Sequence, residues 1–205
     1  KRMMVLALPL MLSLCSYAAT VTSQLSVNMK TDKACYVPGQ TVTFVAEGNI
    51  PSSAKVRYRY GSHVLLVQDF SEVAKSKQWT WLPPSADYQG YLVELYTEGS
   101  GVENILGTIA VDVSSNWKRF PRYGFVADFN NYSSTVDKNA NIKSEMAYLN
   151  RLHINGVQFQ DWQWMHHRPV KLNGDGSLTQ WYTDISNRCV GVEYVKNYIA
   201  TQHAY

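Results

Sequence analysis

Polar and apolar residues alternate in short segments along the first half of the chain, from Gln24 to Val113. The segments Val42–Ala46 and Val56–Tyr60 each carry an apolar residue at every second position, and each lies beside a glycine-containing turn. A period of two residues is typical of a half-buried β-strand. Further strands are predicted at Trp79–Leu82, Tyr91–Thr97 and Ile105–Val113. The first half of the chain is therefore predicted to be all-β.

Short strands separated by turns at this spacing predict an immunoglobulin-like β-sandwich over residues 20–115. The sequence Asp87-Tyr88-Gln89-Gly90-Tyr91, just ahead of a strand, indicates a tyrosine corner, in which a phenol ties a loop to the strand. Trp79 and Trp81 share one face of their strand, and large aromatic side chains dominate such interiors. We therefore expect both indoles in the core, and the alternative is a sugar-binding surface.

The pattern changes after the polar hinge Ser114–Asn116, where two short apolar runs flank a segment of helical spacing. The runs are Tyr123–Ala127 and Val157–Gln160, and an Asp follows each of them directly. Two short strands with a helix between them are the signature of a parallel β–α–β unit. The second half of the chain is therefore predicted to be α/β.

Two helices are predicted in this half. The first is marked by apolar residues at intervals of three and four, namely Ile142, Met146, Leu149 and Leu152. Asp137 or Asn139 can cap its start, and Asn155-Gly156 is expected to end it. After a polar loop at Lys171–Asp184, a second helix is predicted to run to the last residue. Its apolar positions are Val192, Val195 and Ile199.

Residues 118–205 are accordingly predicted to be the first βαβα units of a (β/α)8 TIM barrel, which is incomplete here. They number 88, whereas a whole barrel typically takes about 250 residues. Two parallel strands and two helices leave an open sheet edge and an uncovered apolar face. We therefore expect the chain to be a truncated fragment of a longer enzyme.

The candidate chemistry lies where the two predicted strands end. Asp128 follows the first strand, and Asp161 follows the second, with Trp162 and Trp164 directly after it. Functional groups of parallel α/β sheets sit at the carboxyl ends of the strands. Carboxylates beside indole rings suit a sugar, because the oxygens accept hydrogen bonds from hydroxyls while the ring stacks on the apolar face.

Four motifs of the second half belong together in one known family. They are Phe120-Pro121-Arg122-Tyr123-Gly124-Phe125 with Asp128-Phe129, Leu152-His153-Ile154-Asn155-Gly156-Val157-Gln158-Phe159, Asp161-Trp162, and His167-Arg168-Pro169. In these motifs the chain resembles glycoside hydrolase family sixty-six, which comprises endo-dextranases and cycloisomaltooligosaccharide glucanotransferases. The likeness extends from about Ala18 to the end of the chain.

This resemblance implies an endo-dextranase that hydrolyses internal α-1,6-glucosidic bonds with retention and needs no cofactor. The family's nucleophilic Asp and acid/base Glu lie on later strands, so neither is carried onto this chain, and we expect the fragment itself to be inactive. We assign Asp128 and Asp161 to substrate binding, with Trp162 as a stacking platform or a wall of the site and His167 as a group that can hydrogen-bond to the sugar. The expected partner is an α-glucan, either dextran or an isomaltooligosaccharide, and no protein partner is implied.

Several alternatives stay open from the sequence. The enzyme can be the family's cyclising glucanotransferase, or the protein can be a non-catalytic glucan-binding protein of the cell surface. Asp128 can simply cap its own loop, and His167 can be an ordinary loop histidine. Asp128 and Asp161 can also nominally serve as the pair of carboxyl groups that glycoside hydrolysis requires.

Charge and histidine content exclude other classes of site. The net charge of +3 is small and no basic stripe is present, so nucleic acid is not expected as a partner. The neighbouring His166 and His167 have no carboxylate or cysteine at ligand spacing, so no metal site is predicted there. Asn173–Gly176 lacks the further acidic ligands of a calcium loop and is interpreted as a glycine-rich turn.

The start of the chain matches a secretory signal peptide over residues 1–19. Lys1 and Arg2 precede the apolar run Met3–Leu14, and small residues flank Tyr17. We therefore expect an exported protein, which is secreted, periplasmic or attached to the cell surface. Cys15 offers a lipoprotein alternative, although Leu14 is bulky for that signal. Asn131-Tyr132-Ser133 matches a glycosylation triplet.

Overall fold

The computed structural model describes residues 20–23, 25–129 and 138–205. The predicted signal peptide, the glycosylation triplet and the proposed cap Asp137 lie outside these residues. The described part is rich in β-structure and contains few helices. None of the helices within it is long and apolar enough to cross a membrane.

The elements follow one another along the described residues. The strands are β1 (Thr20–Ser23), β2 (Asn28–Thr31), β3 (Val42–Glu47), β4 (Lys55–Tyr60), β5 (His63–Asp69), β6 (Gln78–Trp81), β7 (Tyr88–Gly99), β8 (Val102–Val113), β9 (Tyr123–Val126), β10 (Gly156–Phe159), β11 (Trp181–Thr183) and β12 (Cys189–Gly191). The helices are α1 (Phe70–Val73), α2 (Lys138–Arg151) and α3 (Val192–Gln202).

Two sheets face each other across one hydrophobic core in the first half. The larger has the strand order β1-β8-β7-β4-β5, in which β1 pairs with β8 in parallel and the other neighbours are antiparallel. The smaller is antiparallel, in the order β2-β3-β6. Alternate residues of both sheets fill the space between them, among them Phe44, Tyr58 and Val93, which are fully buried.

The aromatic predictions for this half are confirmed. Trp79 and Trp81 are 3% and 8% exposed, and Trp79 donates its indole N–H to the hydroxyl of Tyr58 at 3.0 Å. The hydroxyl of Tyr91 donates to the carbonyl of Ala86 at 3.4 Å, so a phenol does tie the connecting loop to β7. Tyr60 departs from its predicted alternation, because it is 45% exposed.

In the first half, the strands that alternation did not predict are β1, β2 and β5. Strand β5 lies at the edge of the larger sheet and pairs with β4 alone. Its residues Val64–Val67 form a continuous apolar run, and each is between 40% and 52% exposed. A run without alternation does not show which face is buried, and here neither face is covered.

The second half contains the predicted β–α–β order. Strands β9 and β10 pair in parallel, with Gly124 opposite Val157 and Val126 opposite Phe159, and α2 connects them. A second hydrophobic core lies between this pair and the two longer helices. The other face of β9 is open, since Tyr123 is 59% exposed.

The helix boundaries differ from the predictions in three respects. Helix α2 ends at Arg151, not at Asn155-Gly156, because the chain turns into the left-handed region at His153 (φ 57°). The helix begins at Lys138, so Asn139 lies inside it. Helix α3 ends at Gln202, and it buries Tyr198, whereas the predicted core residue Ile199 is 40% exposed.

The predicted polar loop ends in a β-hairpin. Strands β11 and β12 pair antiparallel, with Tyr182 opposite Val190, and both of these side chains are buried. The predicted glycine-rich turn is present, since Gly176 has a φ of 83° and the Asp175 carboxylate accepts the backbone N–H of Ser177.

The two halves meet at the amino ends of β9 and β10. Three side chains at or just after the end of α2 contact β2 and the residues that follow it. Asn150 donates to the Thr31 carbonyl at 3.2 Å, Arg151 donates to Asn28 at 2.7 Å, and His153 donates to the Ala34 carbonyl at 3.3 Å. Arg122, directly before β9, forms an ion pair with Asp112 of β8. We call this set of contacts the seam.

Candidate functional site

Asp128 and Asp161 lie at the ends of β9 and β10 that point away from the seam. The last paired residues of the two strands are Val126 and Phe159, and Gln160 continues the ladder by donating its N–H to the Val126 carbonyl at 2.9 Å. Asp128 and Asp161 each lie two residues beyond this last pair, at the same end of the two strands. Neighbouring strands lie about 4.8 Å apart. We call residues 127–129 and 160–162 the rim.

The backbone of Asp161 is unusual. Its φ of 49° lies in the left-handed region, which residues other than glycine seldom occupy, although Asp and Asn tolerate it better than most. The side chain is half-buried, and its Oδ2 accepts a hydrogen bond from the hydroxyl of Ser186 at 3.3 Å. The carboxylate is therefore tethered to the loop between β11 and β12.

Arg188, which the sequence analysis did not single out, connects both parts of the rim. Its guanidinium donates to the backbone carbonyls of Ala127 at 3.2 Å, Gln160 at 2.9 Å and Asp161 at 3.1 Å. It also donates Nε–H to the Asp184 carboxylate at 2.9 Å. One side chain thereby joins the ends of both parallel strands to the following hairpin.

Asp184 forms the base of this arrangement. Its side chain is 0% exposed, and its Oδ1 accepts the backbone N–H groups of Ser186 at 2.9 Å and Arg188 at 2.8 Å. A buried carboxylate needs such partners, because an unpaired charge in the interior is strongly destabilising. The residues 184–188 therefore form a tight turn built around one carboxylate.

Trp162 is half-buried and belongs partly to the second core. Its ring meets that of Phe159 edge to face, with 6.5 Å between centroids. Its carbonyl accepts a hydrogen bond from the Tyr182 hydroxyl at 2.8 Å, and burial together with the charge of Asp184 raises the pKa of Tyr182 to about 12. The indole is therefore held partly against the second core.

His167 lies in a different setting from the two carboxylates. It is exposed at the tip of a tight turn, in which Met165 and Arg168 exchange backbone hydrogen bonds at 3.0 and 3.1 Å. The proposed contact of His167 with a sugar remains a prediction, as do those of Asp128, Asp161 and Trp162.

A narrow cleft of about 110 Å³ opens beside Asp128, and Arg188 and Asp184 also line it. Tyr198 of α3 lies behind this region and donates its hydroxyl to Glu145. Burial, that hydrogen bond and the nearby charges of Glu145 and Asp128 raise the pKa of Tyr198, so its phenol stays protonated.

Within residues 20–23, 25–129 and 138–205, no three His, Cys, Asp or Glu side chains converge as a metal ion would require.

The arrangement at the rim can bind but does not by itself show a reacting pair. The carboxylates of Asp128 and Asp161 offer several acceptor oxygens to hydroxyl groups. The hairpin that carries Asp184 and Arg188 could have been predicted from the sequence Trp181–Gly191. It has two short runs of strand-forming residues on either side of Asp184–Asn187, which is a hairpin pattern.

Comparison with known proteins decides the family. The sequence model of the family described as "Glycosyl hydrolase family 66" matches residues 31–205 of the chain. The chain belongs to this family. The match includes most of the two facing sheets as well as the rim, and it begins later than the expected start near Ala18. Membership in family 66 makes the protein one of a carbohydrate-active, glycosidase-type group.

Two relatives of the chain are cycloisomaltooligosaccharide glucanotransferases of Niallia circulans. One is 32% identical over a stretch that covers 61% of this chain and 12% of that protein. The other is 28% identical over 84% of this chain and 18% of that protein. The chain therefore spans less than a fifth of the length of either relative.

Among solved structures, the sulfur carrier protein SoxY from Chlorobium limicola f thiosulfatophilum matches 47% of this family 66 chain and 86% of its own, with a TM-score of 0.31 and 8% sequence identity. A likeness at that level supports no conclusion about fold or function.

Proposed function

We propose that this chain is the N-terminal part of an exported family 66 enzyme of the endo-dextranase type, which cleaves internal α-1,6-glucosidic bonds with retention. The observation that carries the proposal is the placement of Asp128 and Asp161 at one rim of a parallel strand pair in a chain of this family. In this proposal residues 1–19 are the signal peptide for export.

The proposal also assigns a fold to each half. Residues 20–115 form an immunoglobulin-like sandwich, and residues 118–205 form the first part of a (β/α)8 barrel. Two facing sheets around a single core support the first assignment, and the parallel β9–α2–β10 unit supports the second. The sandwich then serves as a wall on the side of the barrel opposite to the substrate.

The described residues act in substrate binding in this mechanism. Retaining glycosidases need two carboxyl groups about 5 to 5.5 Å apart, one as nucleophile and one as acid/base. The resemblance to the family implies that the nucleophile and the acid/base both lie on later strands of the barrel. Asp128 and Asp161 accept hydrogen bonds from glucose hydroxyls, Trp162 bounds the ring, and His167 donates from its turn. These contacts hold the ring in a fixed orientation, which lowers the entropic part of the barrier.

A second function is favoured by the names of the two relatives, both of which are glucanotransferases. A retaining enzyme forms a glycosyl-enzyme intermediate that water hydrolyses. If a hydroxyl of the same glucan chain takes the place of water, the product is a ring instead of a linear oligosaccharide. The two activities therefore share every binding contact described above and differ in the acceptor.

Incubation of the full-length gene product with dextran tests both functions. A linear product exceeds the ring of the same number of glucose units by the mass of one water molecule, so mass spectrometry separates them. We expect linear products, whose initial anomeric configuration by NMR is that of the substrate. Ring products would show that the enzyme is a glucanotransferase and not a hydrolase. Binding of dextran without any product would show that the protein is a non-catalytic glucan-binding protein.

A further inference from the structure

We propose that Arg188, held by Asp184, is a positioning residue that sets the shape of the rim and so the binding of glucan by Asp128 and Asp161. The inference rests on the proposed function, because it takes these two carboxylates as the groups that contact the sugar. Arg188 itself acts through them and through the backbone on which they are carried.

The guanidinium contacts the backbone directly beside each carboxylate. The Ala127 carbonyl, which accepts from Nη1, belongs to the peptide bond that leads into Asp128. The Gln160 and Asp161 carbonyls, which accept from Nη2, lie on either side of the Asp161 Cα. A shift of Arg188 therefore displaces both acidic residues at once, although they belong to different strands.

The support behind the guanidinium is buried and hydrogen-bonded. The Asp184 carboxylate is fully buried and accepts one bond from the guanidinium and two from backbone N–H groups of its own turn. The Arg188 side chain is 38% exposed, so it extends from this buried anchor to the surface at the rim. Charge-assisted hydrogen bonds of this kind are roughly twice as strong as neutral ones.

The left-handed backbone of Asp161 explains why the rim needs such a support. Backbone in sparsely populated regions costs free energy and persists only where its surroundings fix it. Two carbonyl contacts from one planar guanidinium supply that restraint on both sides of the residue. Lysine has a single nitrogen and lacks the planar fork, so it does not reproduce contacts to three carbonyls and a carboxylate.

The first test compares the full-length Arg188→Lys variant with the wild type in dextran kinetics. We expect KM to rise about 10- to 100-fold with a smaller change in kcat, because displaced carboxylates lose hydrogen bonds that hold the bound substrate and the transition state alike. Arg151→Ala is the matched control, because that arginine also makes a hydrogen bond but lies at the seam. An unchanged KM in Arg188→Lys overturns the inference.

A double-mutant cycle separates positioning from general stabilisation. If Arg188 acts through Asp161, the variant that carries both Arg188→Lys and Asp161→Asn binds dextran about as weakly as the worse single variant. If the two effects on KM multiply, the residues act independently and the inference is wrong.

Amide hydrogen exchange measures how well the backbone of the rim is held, and it needs no substrate. In Arg188→Lys we expect faster exchange at residues 127–129 and 160–162 and unchanged exchange in β3 and β7. Should that variant fail to fold, Asp184→Asn keeps the shape of the anchor and removes its charge, and the same two segments are expected to exchange faster. Unchanged exchange at the rim overturns the inference.

The two proposals fail in different ways. If the wild-type protein neither binds nor cleaves dextran, the proposed function is wrong, and the exchange measurement still decides whether Arg188 holds the rim. If dextran is cleaved and exchange at the rim rises while KM does not change, the proposed function stands and the positioning role is wrong.

Discussion

Asp112 and Arg122 form an ion pair that joins the larger sheet to the segment entering β9. The Asp112 side chain is 1% exposed, and it also accepts the backbone N–H of Gly90 at 2.8 Å. The carboxylate therefore has partners from two parts of the chain. The pair belongs to the seam, so its removal reports on the connection between the halves.

Substitution of Asp112 by Ala is expected to lower the free energy of unfolding by about 3 kcal/mol. The reason is that Arg122 and the Gly90 N–H lose their acceptor while they remain largely enclosed. Urea denaturation measures the change. Lys196→Ala removes the exposed ion pair with Glu193 and is expected to cost less than about 0.5 kcal/mol. Equal losses in the two variants would contradict the role given to Asp112.

Gly107 in β8 lies where a side chain has no room. A Cβ at this position would come within 2.7 Å of the Val27 carbonyl oxygen and 3.2 Å of the Met29 sulfur. We expect Gly107→Ala to lower the free energy of unfolding by about 1 to 3 kcal/mol, because backbone has to shift. Gly99→Ala is the control, since nothing lies within 4 Å of that Cβ. Thermal unfolding measures the change. Equal midpoint temperatures for Gly107→Ala and Gly99→Ala would show that the two sheets can move apart at little cost in free energy.

His153 gives the seam a dependence on pH. Burial lowers the pKa of His153, and the nearby charge of Arg122 lowers it further, against the opposing effect of the Ala34 carbonyl. The unfolded chain therefore binds a proton more readily than the folded one, and stability is lost as the pH falls below about 6.5. The contribution is complete above that pH.

The variant His153→Asn tests this effect, because Asn tolerates the left-handed φ of 57° and does not titrate. We expect the loss of stability between neutral pH and pH about 5 to be smaller in His153→Asn than in the wild type. The measurement is urea denaturation at both pH values, with His63→Gln on the exposed strand β5 as control. A steeper pH dependence in His153→Asn than in the wild type would contradict the expected direction of the effect.

Asp161 is tested best by Asn, which keeps the left-handed backbone and removes only the charge. We expect Asp161→Asn to weaken dextran binding by roughly tenfold or more, because hydrogen bonds to a charged group contribute about 1.5 to 3 kcal/mol. Affinity electrophoresis in dextran gels measures it on the full-length protein. Asp175→Asn in the exposed glycine-rich turn is the control. Equal affinity in the wild type and Asp161→Asn would remove Asp161 from the site.

Local patterns predicted the elements whose burial repeats with the period of the strand or helix. Val42, Phe44 and Ala46 alternate because one face of β3 meets the core, and the short runs before Asp128 and Asp161 proved to be neighbouring parallel strands. Strand β5 escaped prediction because its apolar run carries no period.

The support of the rim could not be predicted in the same way. The contacts of Arg188 reach the Ala127 carbonyl, 61 residues earlier, and carbonyls 28 and 27 residues earlier. Their acceptors are backbone atoms, which every residue possesses, so no side-chain pattern marks them. Only the hairpin that carries Arg188 had a local signature, in its turn around Asp184.

The seam and the rim lie at opposite ends of a strand pair only four residues long, a separation of about 13 Å along the strands. Under the proposed function, amino-acid changes that alter glucan binding can therefore accumulate at the rim while the contacts of the seam stay intact. If the proposed function holds, chimeras that exchange residues 20–115 between family members are expected to keep the product spectrum of the recipient.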